Sequence, residues 1–257
     1  MEEREKLKIS VVSYLNSLPF VAGLEQETIA QQFDISKDIP SICAEKVING
    51  QADIGLMPIA MLPYVKGGHV ITDYCISANG EVGSVLLVSN EPIEELEVIT
   101  KDNESRTSVT LARILFENHW KKEVKWKEES GNVLELQKNE GLVIIGDRAL
   151  RYSSRFKYVY DLAEEWKKHT GLPFVFACWI ANKPIAETDI QTLNSCFARG
   201  LSMREEIAER SETGHPRITT LSYLNDYIKY ELNEEAKKGM KLFLEMMNQI
   251  ESSFISR

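Results

Sequence analysis

The stretch GQADIGLMPIA (residues 50–60) decides the fold class of this chain. Its part ADIGLMP (52–58) has the length and composition of a buried strand, and it follows a helical pattern over residues 43–50. Helices that lead directly into buried strands are typical of α/β proteins, in which such units recur along the chain. The stretch therefore predicts an α/β fold.

Strand-like runs and helical patterns alternate through most of the chain. The other predicted strands are residues 8–14, 83–89, 123–129, 141–147 and 172–181. The other predicted helices are residues 106–119, 132–139 and, approximately, 161–169. Strands stop after residue 186, where two helices, 188–211 and about 220–250, complete the pattern. An apolar stripe on the last helix (Met240, Phe243, Leu244 and Met247) is expected in the core, and a dimer contact is the alternative use.

Composition excludes several classes of protein. The 257 residues are 43% apolar, which suffices for one large or two small cores. The 30 Lys and Arg residues against 39 Asp and Glu give a net charge of −9, so we expect no nucleic-acid partner. No apolar run is long enough to span a membrane, and the opening MEEREKLK lacks the apolar part of a signal peptide. We therefore expect a cytoplasmic protein without membrane contact.

The cysteines and the common catalytic motifs give no sign of metal or cofactor chemistry. Cys43, Cys75, Cys178 and Cys196 are scattered, without a CxxC pair or a histidine at ligand spacing. The sequence has no GxSxG, HExxH, Walker or GxGxxG motif. We expect buried, reduced cysteines, no metal and no cofactor.

The tetrapeptide Ser-Tyr-Leu-Asn occurs twice, at residues 13–16 and 222–225. The second copy lies in a pattern with helical spacing, and Ser222 or the preceding threonines can cap a helix there. The first copy follows a strand and is closed by Pro19, which disfavours a helix before it. Ligands of α/β sheets bind at the carboxyl ends of strands. The first copy is therefore predicted to serve a site and the second to serve the scaffold.

Polar side chains recur at the ends of predicted strands, which suggests one crevice formed by several loops. Turn formation is the competing explanation for each of them taken singly. The candidates are Ser13, Tyr14 and Asn16 after the first strand, Met57 and Pro58 after the second, Ser84 at the start of the third, and Gly146, Asp147 and Arg148 after LVII. A surface ion pair is the alternative for Asp147 and Arg148.

The segment NESRTSVTLARILF (103–116) is a candidate anion site. Ser105, Thr107 or Ser108 can cap a helix that has Arg106 in its first turn. Free N–H groups, hydroxyls and an arginine suit a carboxylate or a phosphate. An ordinary cap beside a surface arginine is the alternative. Further along, the aromatic residues of FVFACW are Phe174, Phe176 and Trp179, and a position in the core is the more common use of such residues. Any of them that faces the crevice would suit a flat ring, and Phe174 is the predicted contact.

The segments together resemble known proteins. GQADIGLMPIA is similar to the helix–strand signature of type II periplasmic-binding-protein-like domains. Five blocks resemble the chorismate dehydratases of the futalosine route to menaquinone in order and spacing. The blocks are VVSYLNSLPF (11–20), SVLLVS (84–89), SRTSVTLARILF (105–116), IGDRAL (145–150) and TGLPFVFACW (170–179).

The resemblance implies an α/β fold of two lobes, with a ligand cleft between them. Crossings near 88–94 and 178–184 would make residues 1–90 plus 183–257 one lobe and residues 91–182 the other. The similar turns SNEPIEEL (89–96) and ANKPIAET (181–188) favour those crossings.

The resemblance also implies a function. It predicts a hydro-lyase that removes water from chorismate, with Asn16 and Ser84 as active-site residues. The substrate-binding candidates are Ser13, Tyr14, Met57, Ser105, Arg106, Thr107, Ser108, Asp147 and Phe174. The expected partner is a small molecule, and the protein is expected to be a monomer or a homodimer. Glu81 and Gly83 depart from the family pattern, in which we expect a proline and often a basic residue.

Other functions of this fold stay open at this point. One is a relative of 1,4-dihydroxy-6-naphthoate synthase from the same route, and another is a non-catalytic protein that binds a small anion. For the dehydratase, Asn16 is expected to bind the departing hydroxyl or to position the proton acceptor, which is the substrate's own enolpyruvyl carboxylate or a held water.

Overall fold

The computed structural model describes residues 5–26, 29, 31–129 and 134–255, with side chains as far as residue 250. The strands of this part are β1 (Leu7–Val12), β2 (Phe33–Asp38), β3 (Ile54–Pro58), β4 (His69–Ala78), β5 (Val85–Ser89), β6 (Val98–Lys101), β7 (Lys125–Glu128), β8 (Glu140–Ile145), β9 (Tyr158–Asp161), β10 (Phe174–Ala181) and β11 (Lys229–Glu231). The helices are α1 (Leu18–Leu24), α2 (Pro40–Ile48), α3 (Arg106–Asn118), α4 (Gly146–Tyr152), α5 (Leu162–Thr170), α6 (Glu187–Ser202), α7 (Arg204–Glu209), α8 (Thr220–Ser222) and α9 (Glu234–Ile255).

The first sheet has the strand order β11-β4-β10-β3-β1-β2. Strands β1, β2 and β3 run parallel, whereas β10 is antiparallel to both β3 and β4. All five residues of β3 are buried, as expected for a strand covered on both faces. This sheet and the helices packed on it are called the first lobe below.

The stretch GQADIGLMPIA (50–60) lies where helix α2 packs very closely on the central strand β3. A β-carbon at Gly55 would lie 2.6 Å from Cγ2 of Val47 and 3.0 Å from Sγ of Cys43. Real β-carbons do not approach other atoms so closely, so α2 can lie on β3 only because residue 55 has no side chain. The glycine in the motif therefore fixes the spacing between helix and strand.

The second sheet has the order β7-β6-β8-β5-β9. Strand β6 is parallel to β7 and β8, while β5 is antiparallel to β8 and β9. Helix α3 packs on this sheet, and its buried face includes Leu111, Leu115 and Phe116. This sheet and its helices are called the second lobe, and the two lobes together confirm the predicted two-lobed α/β fold.

The chain passes between the two sheets earlier than the sequence suggested. Residues 85–89 belong to the second sheet, and residues 174–181 belong to the first. The connections between the sheets are therefore residues 79–84 and 171–173, not 88–94 and 178–184. The turns 89–96 and 181–188 look alike because each follows a buried strand, and that similarity does not mark a crossing. The predicted lobes were residues 1–90 plus 183–257 and residues 91–182. Compared with that prediction, strand β5 moves to the second lobe and strand β10 moves to the first.

Several elements differ from the sequence prediction. Strands β2, β4, β6 and β9 were missed because polar residues interrupt their apolar runs, as in FDISKD of β2. Residues 134–139 of the predicted helix 132–139 form turns, and its first two residues lie outside the described part.

The C-terminal part is also less regular than predicted. The helix predicted over 188–211 is divided at Met203, and the helix predicted over 220–250 is divided by a π-helical turn, Tyr223–Tyr227, and by β11. The strands therefore do not stop at residue 186. The stripe on α9 lies in the core as expected, with Phe243 and Met247 buried. Within the described residues, no helix has the length and apolar character needed to cross a bilayer.

Candidate functional site

The first Ser-Tyr-Leu-Asn forms a tight turn where β1 ends. A 3-10 turn covers Leu15–Ser17, and the Ser17 hydroxyl donates to the carbonyl of Val12 over 2.5 Å and accepts from the N–H of Tyr14 over 3.1 Å. Pro19 then lies in the first turn of α1, where its missing N–H costs nothing. The buried Ser17 hydroxyl thus fixes the loop that carries Tyr14 and Asn16.

A cavity of about 60 Å³ lies between the lobes, beside this turn. Its polar wall includes Tyr14, Asn16, Ser84, Ser105 and Ser108. Its apolar wall is formed by residues of both sheets, among them Leu56, Ile76, Val85, Ile145 and Phe176. A volume of this size admits only a few water molecules. The two lobes therefore stand close together around a small, mostly apolar space with a polar side.

Ser84 lies on the cavity wall, and two hydrogen bonds hold it there. Its backbone carbonyl accepts from the N–H of Gly146 over 2.8 Å, and its hydroxyl accepts from the hydroxyl of Tyr223 over 2.7 Å. The preceding residues are held by Asp161, whose Oδ2 accepts from the N–H groups of Val82 and Gly83 over 2.9 and 2.7 Å. Gly83 has a φ of +71°, a conformation that favours glycine.

Asp161 also caps helix α5. Its Oδ1 accepts from the N–H groups of Ala163 and Glu164, both over 3.1 Å. Burial raises the pKa of Asp161 to about 7, although the backbone hydrogen bonds act in the opposite direction. One buried carboxylate thus ties the loop before Ser84 to the start of a helix.

The N-terminus of α3 forms the opposite wall. Ser105 is the cap, and its Oγ accepts from the N–H of Ser108 over 3.3 Å and lies 3.0 Å from the Ser108 hydroxyl. Thr107 is fully buried, and its Oγ1 accepts from the N–H of Ala60 over 3.1 Å, a contact between the second and the first lobe. The helix end that was predicted as an anion site therefore does face the cavity, through Ser105 and Ser108.

The charged groups near the cavity are mostly acidic. The Tyr14 hydroxyl donates to the carboxylate of Glu104 in the other lobe. Burial and then Glu104 raise the pKa of Tyr14, so it stays protonated. Burial also raises the pKa of Asp102 to about 6, while the Glu104 N–H and Arg148 act to lower it. Arg148 donates to Glu129 over 2.8 Å and lies 3.7 Å from Asp102.

Comparison with known proteins assigns the chain to a family. A family model described as menaquinone biosynthesis matches residues 7–249. The chain belongs to the menaquinone biosynthesis family. Two relatives that match it are named chorismate dehydratase. One, from Thermus thermophilus, is 26% identical over 252 residues, covering 88% of this chain and 91% of the relative. The other, from Campylobacter jejuni subsp. jejuni, is 28% identical over 172 residues, covering 65% and 63%.

Solved structures agree on the fold of this family member. Protein AF1704 from Archaeoglobus fulgidus has a TM-score of 0.72 at 13% identity, over 95% of this chain and 97% of that one. The periplasmic aliphatic sulphonate binding protein SsuA from Escherichia coli has a TM-score of 0.61 at 16% identity, over 97% and 94%. These likenesses confirm the periplasmic-binding-protein-like architecture.

The structure places five of the predicted active-site and substrate-binding residues of this family member around one cavity, together with the strand-end candidates Pro58 and Gly146. The five are Tyr14, Asn16, Ser84, Ser105 and Ser108. They come from three regions of the chain and from both lobes.

Other predicted residues lie away from the cavity wall. Ser13 is exposed, and Met57 is fully buried in β3, where its side chain faces the core. Asp147 accepts from the N–H of Leu15 over 3.2 Å, so it supports the turn from behind. Phe174 packs against Trp166 and Phe243. None of these four is among the residues that line the cavity.

Arg106 and Thr107 also differ from the predicted arrangement. Arg106 is exposed, and its guanidinium donates to the Tyr64 hydroxyl over 2.6 Å and stacks 4.5 Å from the centre of that ring. Thr107 uses its hydroxyl to join the lobes, as described above. Among the cavity-lining residues that the structure describes there is no Lys, Arg or His.

Two further residues belong to the site, Phe176 from the aromatic strand and Tyr223, which the sequence did not single out. Phe176 lines the cavity at a register shift in β10, between Val175 and Ala177. Tyr223, from the second Ser-Tyr-Leu-Asn, contacts Ser84. The second copy does begin a helix, as predicted, since Thr219 caps it at the N–H of Ser222, and its Tyr223 also contacts the cavity wall. The duplicated tetrapeptide was the signal that could have pointed to Tyr223.

The described residues contain no group of three or more His, Cys, Asp or Glu side chains placed to hold a metal ion. The four cysteines are buried and free. The polar side chains that line the cavity are hydroxyl and amide groups.

Proposed function

We propose that this protein is a chorismate dehydratase, a hydro-lyase that converts chorismate to 3-[(1-carboxyvinyl)oxy]benzoate and water. The family and the two relatives with that name support the proposal. The observation that carries it is the presence of Asn16 and Ser84, the two active-site positions implied by the sequence blocks, on the wall of one interlobe cavity.

The reaction removes the hydrogen from C3 of the ring and the hydroxyl from C4. The electron pair of the C3–H bond forms a ring double bond, the C4–O bond breaks, and the departing oxygen takes a proton and leaves as water. The ring becomes aromatic, which supplies the driving force. The protein then needs mainly to hold the substrate, to exclude water and to stabilise charge on the departing oxygen.

Asn16 and Ser84 are assigned to the departing hydroxyl. An amide and a hydroxyl can each form a hydrogen bond that strengthens as negative charge develops on this oxygen. The hydroxyl of Ser84 is held by Tyr223, and the backbone of Asn16 is held by the turn at residues 15–17. Holding donors in place before the reaction is what makes such bonds effective.

The carboxylates of the substrate are assigned to the second lobe. Ser105, Ser108 and the start of α3 can donate to one of them, because the first N–H groups of a helix have no acceptor within the helix. Arg106, close by at the surface, can meet the other at the entrance of the cleft.

The proton acceptor is assigned to the substrate itself. The cavity-lining residues include no Asp, Glu, His or Lys among those the structure describes, and Tyr14 is kept protonated by burial and by Glu104. The enolpyruvyl carboxylate of the substrate is close to C3 in its own structure, and a held water is the alternative. The small volume further requires the lobes to separate for entry and to close for reaction.

The test is incubation of the purified protein with chorismate and analysis of the products by mass spectrometry and ultraviolet absorption. We expect a product lighter by one water with a benzoate spectrum. Asn16→Ala is expected to lower kcat by roughly 100-fold or more, as for a lost transition-state hydrogen bond.

Asn225→Ala is the matched control. It makes the same change in the same tetrapeptide, at an exposed position in the second copy. It should retain the activity of the unmodified protein. Unchanged chorismate in a folded sample would overturn the dehydratase proposal in favour of the naphthoate synthase or of a plain anion-binding protein. Normal turnover by Asn16→Ala would overturn the role of Asn16 only.

A further inference from the structure

The first two residues of α4 contact the backbones of both proposed active-site positions. The N–H of Gly146 donates to the carbonyl of Ser84 over 2.8 Å. The Oδ1 of Asp147 accepts from the N–H of Leu15, the residue before Asn16, over 3.2 Å. Leu15 belongs to the first lobe, whereas Asp147 lies in the second lobe, 132 residues further along the chain. The start of one short helix therefore joins the turn that carries Asn16 to Ser84.

The Leu15 N–H depends on this partner because the turn does not supply one itself. Leu15 is the first residue of the 3-10 turn, and the N–H groups in the first turn of a helix have no acceptor inside that helix. Leu15 is also buried, so a lost partner is costly there. Asp147 thus satisfies, from the other lobe, a donor that the turn leaves open.

The carbonyl side of the pair Leu15–Asn16 is held from within the first lobe. The hydroxyl of the buried Tyr230 in β11 donates to the backbone carbonyl of Asn16 over 2.8 Å. The Leu15 N–H and the Asn16 carbonyl belong to the two peptide groups that flank these residues. Bonds to both groups fix the direction in which the Asn16 side chain leaves the backbone. The bond from Asp147 forms only when the lobes stand together.

We propose that Asp147 is a positioning residue that couples closure of the lobes to the placement of Asn16. The inference rests on the proposed function, because it assigns to Asn16 the hydrogen bond to the departing hydroxyl of chorismate. When the lobes separate to admit substrate, the Leu15 N–H loses its acceptor and Asn16 loses one of the two bonds that direct it. When they close, the amide of Asn16 meets the C4 hydroxyl beside Ser84. The donor is then fixed in a cleft from which water is excluded.

The kinetics of Asp147→Ala and Asp147→Asn test this role. In Asp147→Ala we expect kcat to fall by roughly 10- to 100-fold, because a small displacement of a catalytic group has effects of this size. The inhibition constant of the reaction product should change by less than about threefold, since the product keeps both carboxylates but lacks the hydroxyl that Asn16 binds. Asp147→Asn retains an oxygen acceptor, so its kcat should stay within about fivefold of the wild type. Each kcat is referred to the concentration of sites that bind the product, so a misfolded fraction does not enter.

A double-mutant cycle tests whether Asp147 acts through Asn16. In an Asn16→Ala background, Asp147→Ala should lower kcat by less than about twofold further, because the side chain that it positions is already gone.

Asp53→Ala is the matched control. The Oδ2 of Asp53 accepts from the N–H of Lys8 in β1 over 3.0 Å, and both residues belong to the first lobe. The variant removes the same kind of bond, from a carboxylate to a backbone N–H, without changing the contact between the lobes. It should leave kcat and the inhibition constant of the product unchanged.

Amide hydrogen exchange followed by NMR measures the bond itself without turnover. The Leu15 N–H should exchange at least about tenfold faster in Asp147→Ala than in the wild type, whereas Asp53→Ala should leave its rate unchanged. A saturating concentration of the product should slow this exchange in the wild type, because closure and the bond go together, but not in Asp147→Ala.

The outcomes separate the inference from the proposed function. Equal exchange of the Leu15 N–H in Asp147→Ala and the wild type, additive losses in the double mutant, or product binding that weakens as much as kcat falls would each overturn the positioning role while the dehydratase stands. A wild-type protein that does not convert chorismate, even with the expected exchange rates, would overturn the proposed function and the catalytic use of the Asp147 bond with it.

Discussion

A β-carbon added to Gly146 would lie 3.3 Å from Cε2 of the Tyr14 ring, and Gly146 has a φ of +60°. Gly146 begins α4 in the second lobe, and Tyr14 belongs to the turn after β1 in the first. The backbone of one lobe therefore serves as a surface for an aromatic ring of the other. The conformation favours glycine, and an added β-carbon would make the ring of Tyr14 move by a few tenths of an ångström.

Gly146→Ala should lower both stability and activity. The left-handed conformation costs an alanine about 1–2 kcal/mol, and the new methyl group would push Tyr14 and its neighbour Asn16 out of position. We expect a lower melting temperature and, in addition, a kcat/KM reduced by more than about tenfold.

Gly171→Ala separates the two effects. Gly171 has a φ of +77°, and an added β-carbon would meet no atom within 4 Å. This variant should show a similar loss of stability with unchanged kcat/KM. Equal activity losses in the two variants would contradict the role of the contact between Gly146 and Tyr14.

Thr107→Val should destabilise the contact between the lobes. The change preserves shape but removes the acceptor of the buried Ala60 N–H. An unsatisfied buried donor costs about 1–3 kcal/mol, which in a protein of this size lowers Tm by roughly 2–4 °C per kcal/mol. Calorimetry measures this change in Tm.

Thr192→Val is the control for this loss. The Thr192 hydroxyl donates to the carbonyl of Thr188 within α6, at the surface. A surface change of this kind should alter the free energy of unfolding by no more than about 0.5 kcal/mol. If Thr107→Val proves equally mild, the Thr107–Ala60 bond does not hold the lobes together.

Glu104→Gln should improve binding of a doubly charged substrate. Glutamine can still accept from the Tyr14 hydroxyl, but it removes a negative charge beside the cavity. We expect KM for chorismate to fall by roughly two- to fivefold at low salt and the gain to shrink at high ionic strength. Glu128→Gln, at an exposed site paired with Lys101, should show no such gain. A KM that rises in Glu104→Gln would show that the charge holds the cleft closed.

Part of the candidate site can be predicted from the local sequence, and part of it cannot. Pro19 was expected to keep the residue before it out of a helix, but Leu18 has helical dihedral angles and begins α1. The cap at Ser105 was among those predicted, because a cap depends on neighbouring residues. Tyr223 was not, because its partner Ser84 lies 139 residues away and only the fold brings them together.

The two phenylalanines of β10 show a second limit of prediction from sequence. Phe174 and Phe176 are two residues apart, so a regular strand would place both on one face. The two rings contact each other with their centroids 4.7 Å apart, but only Phe176, at the register shift between Val175 and Ala177, also lines the cavity. Irregularities of this kind depend on the partner strand, and they are not visible in the strand's own residues.

The pH dependence of the protein should reflect Asp161. Burial raises its pKa to about 7, above the value of about 3.9 in an unfolded chain. Between these values the folded protein binds one more proton at this group than the unfolded chain does. The stability contributed by this group is thus fully present below about pH 4 and is lost as the pH rises through about 7.

Activity should depend on Asp161 in the opposite direction. Only the ionised carboxylate can accept all four N–H groups of Val82, Gly83, Ala163 and Glu164, so protonation loosens the loop before Ser84. We expect kcat/KM of the wild type to rise with pH through an inflection near 7, and Asp161→Asn to have a lower kcat/KM without that inflection. Asp73→Asn, at an exposed carboxylate that accepts from Asn194, should keep the wild-type profile. If the inflection persists in Asp161→Asn, another group controls the pH dependence, because chorismate itself has no group that titrates near pH 7.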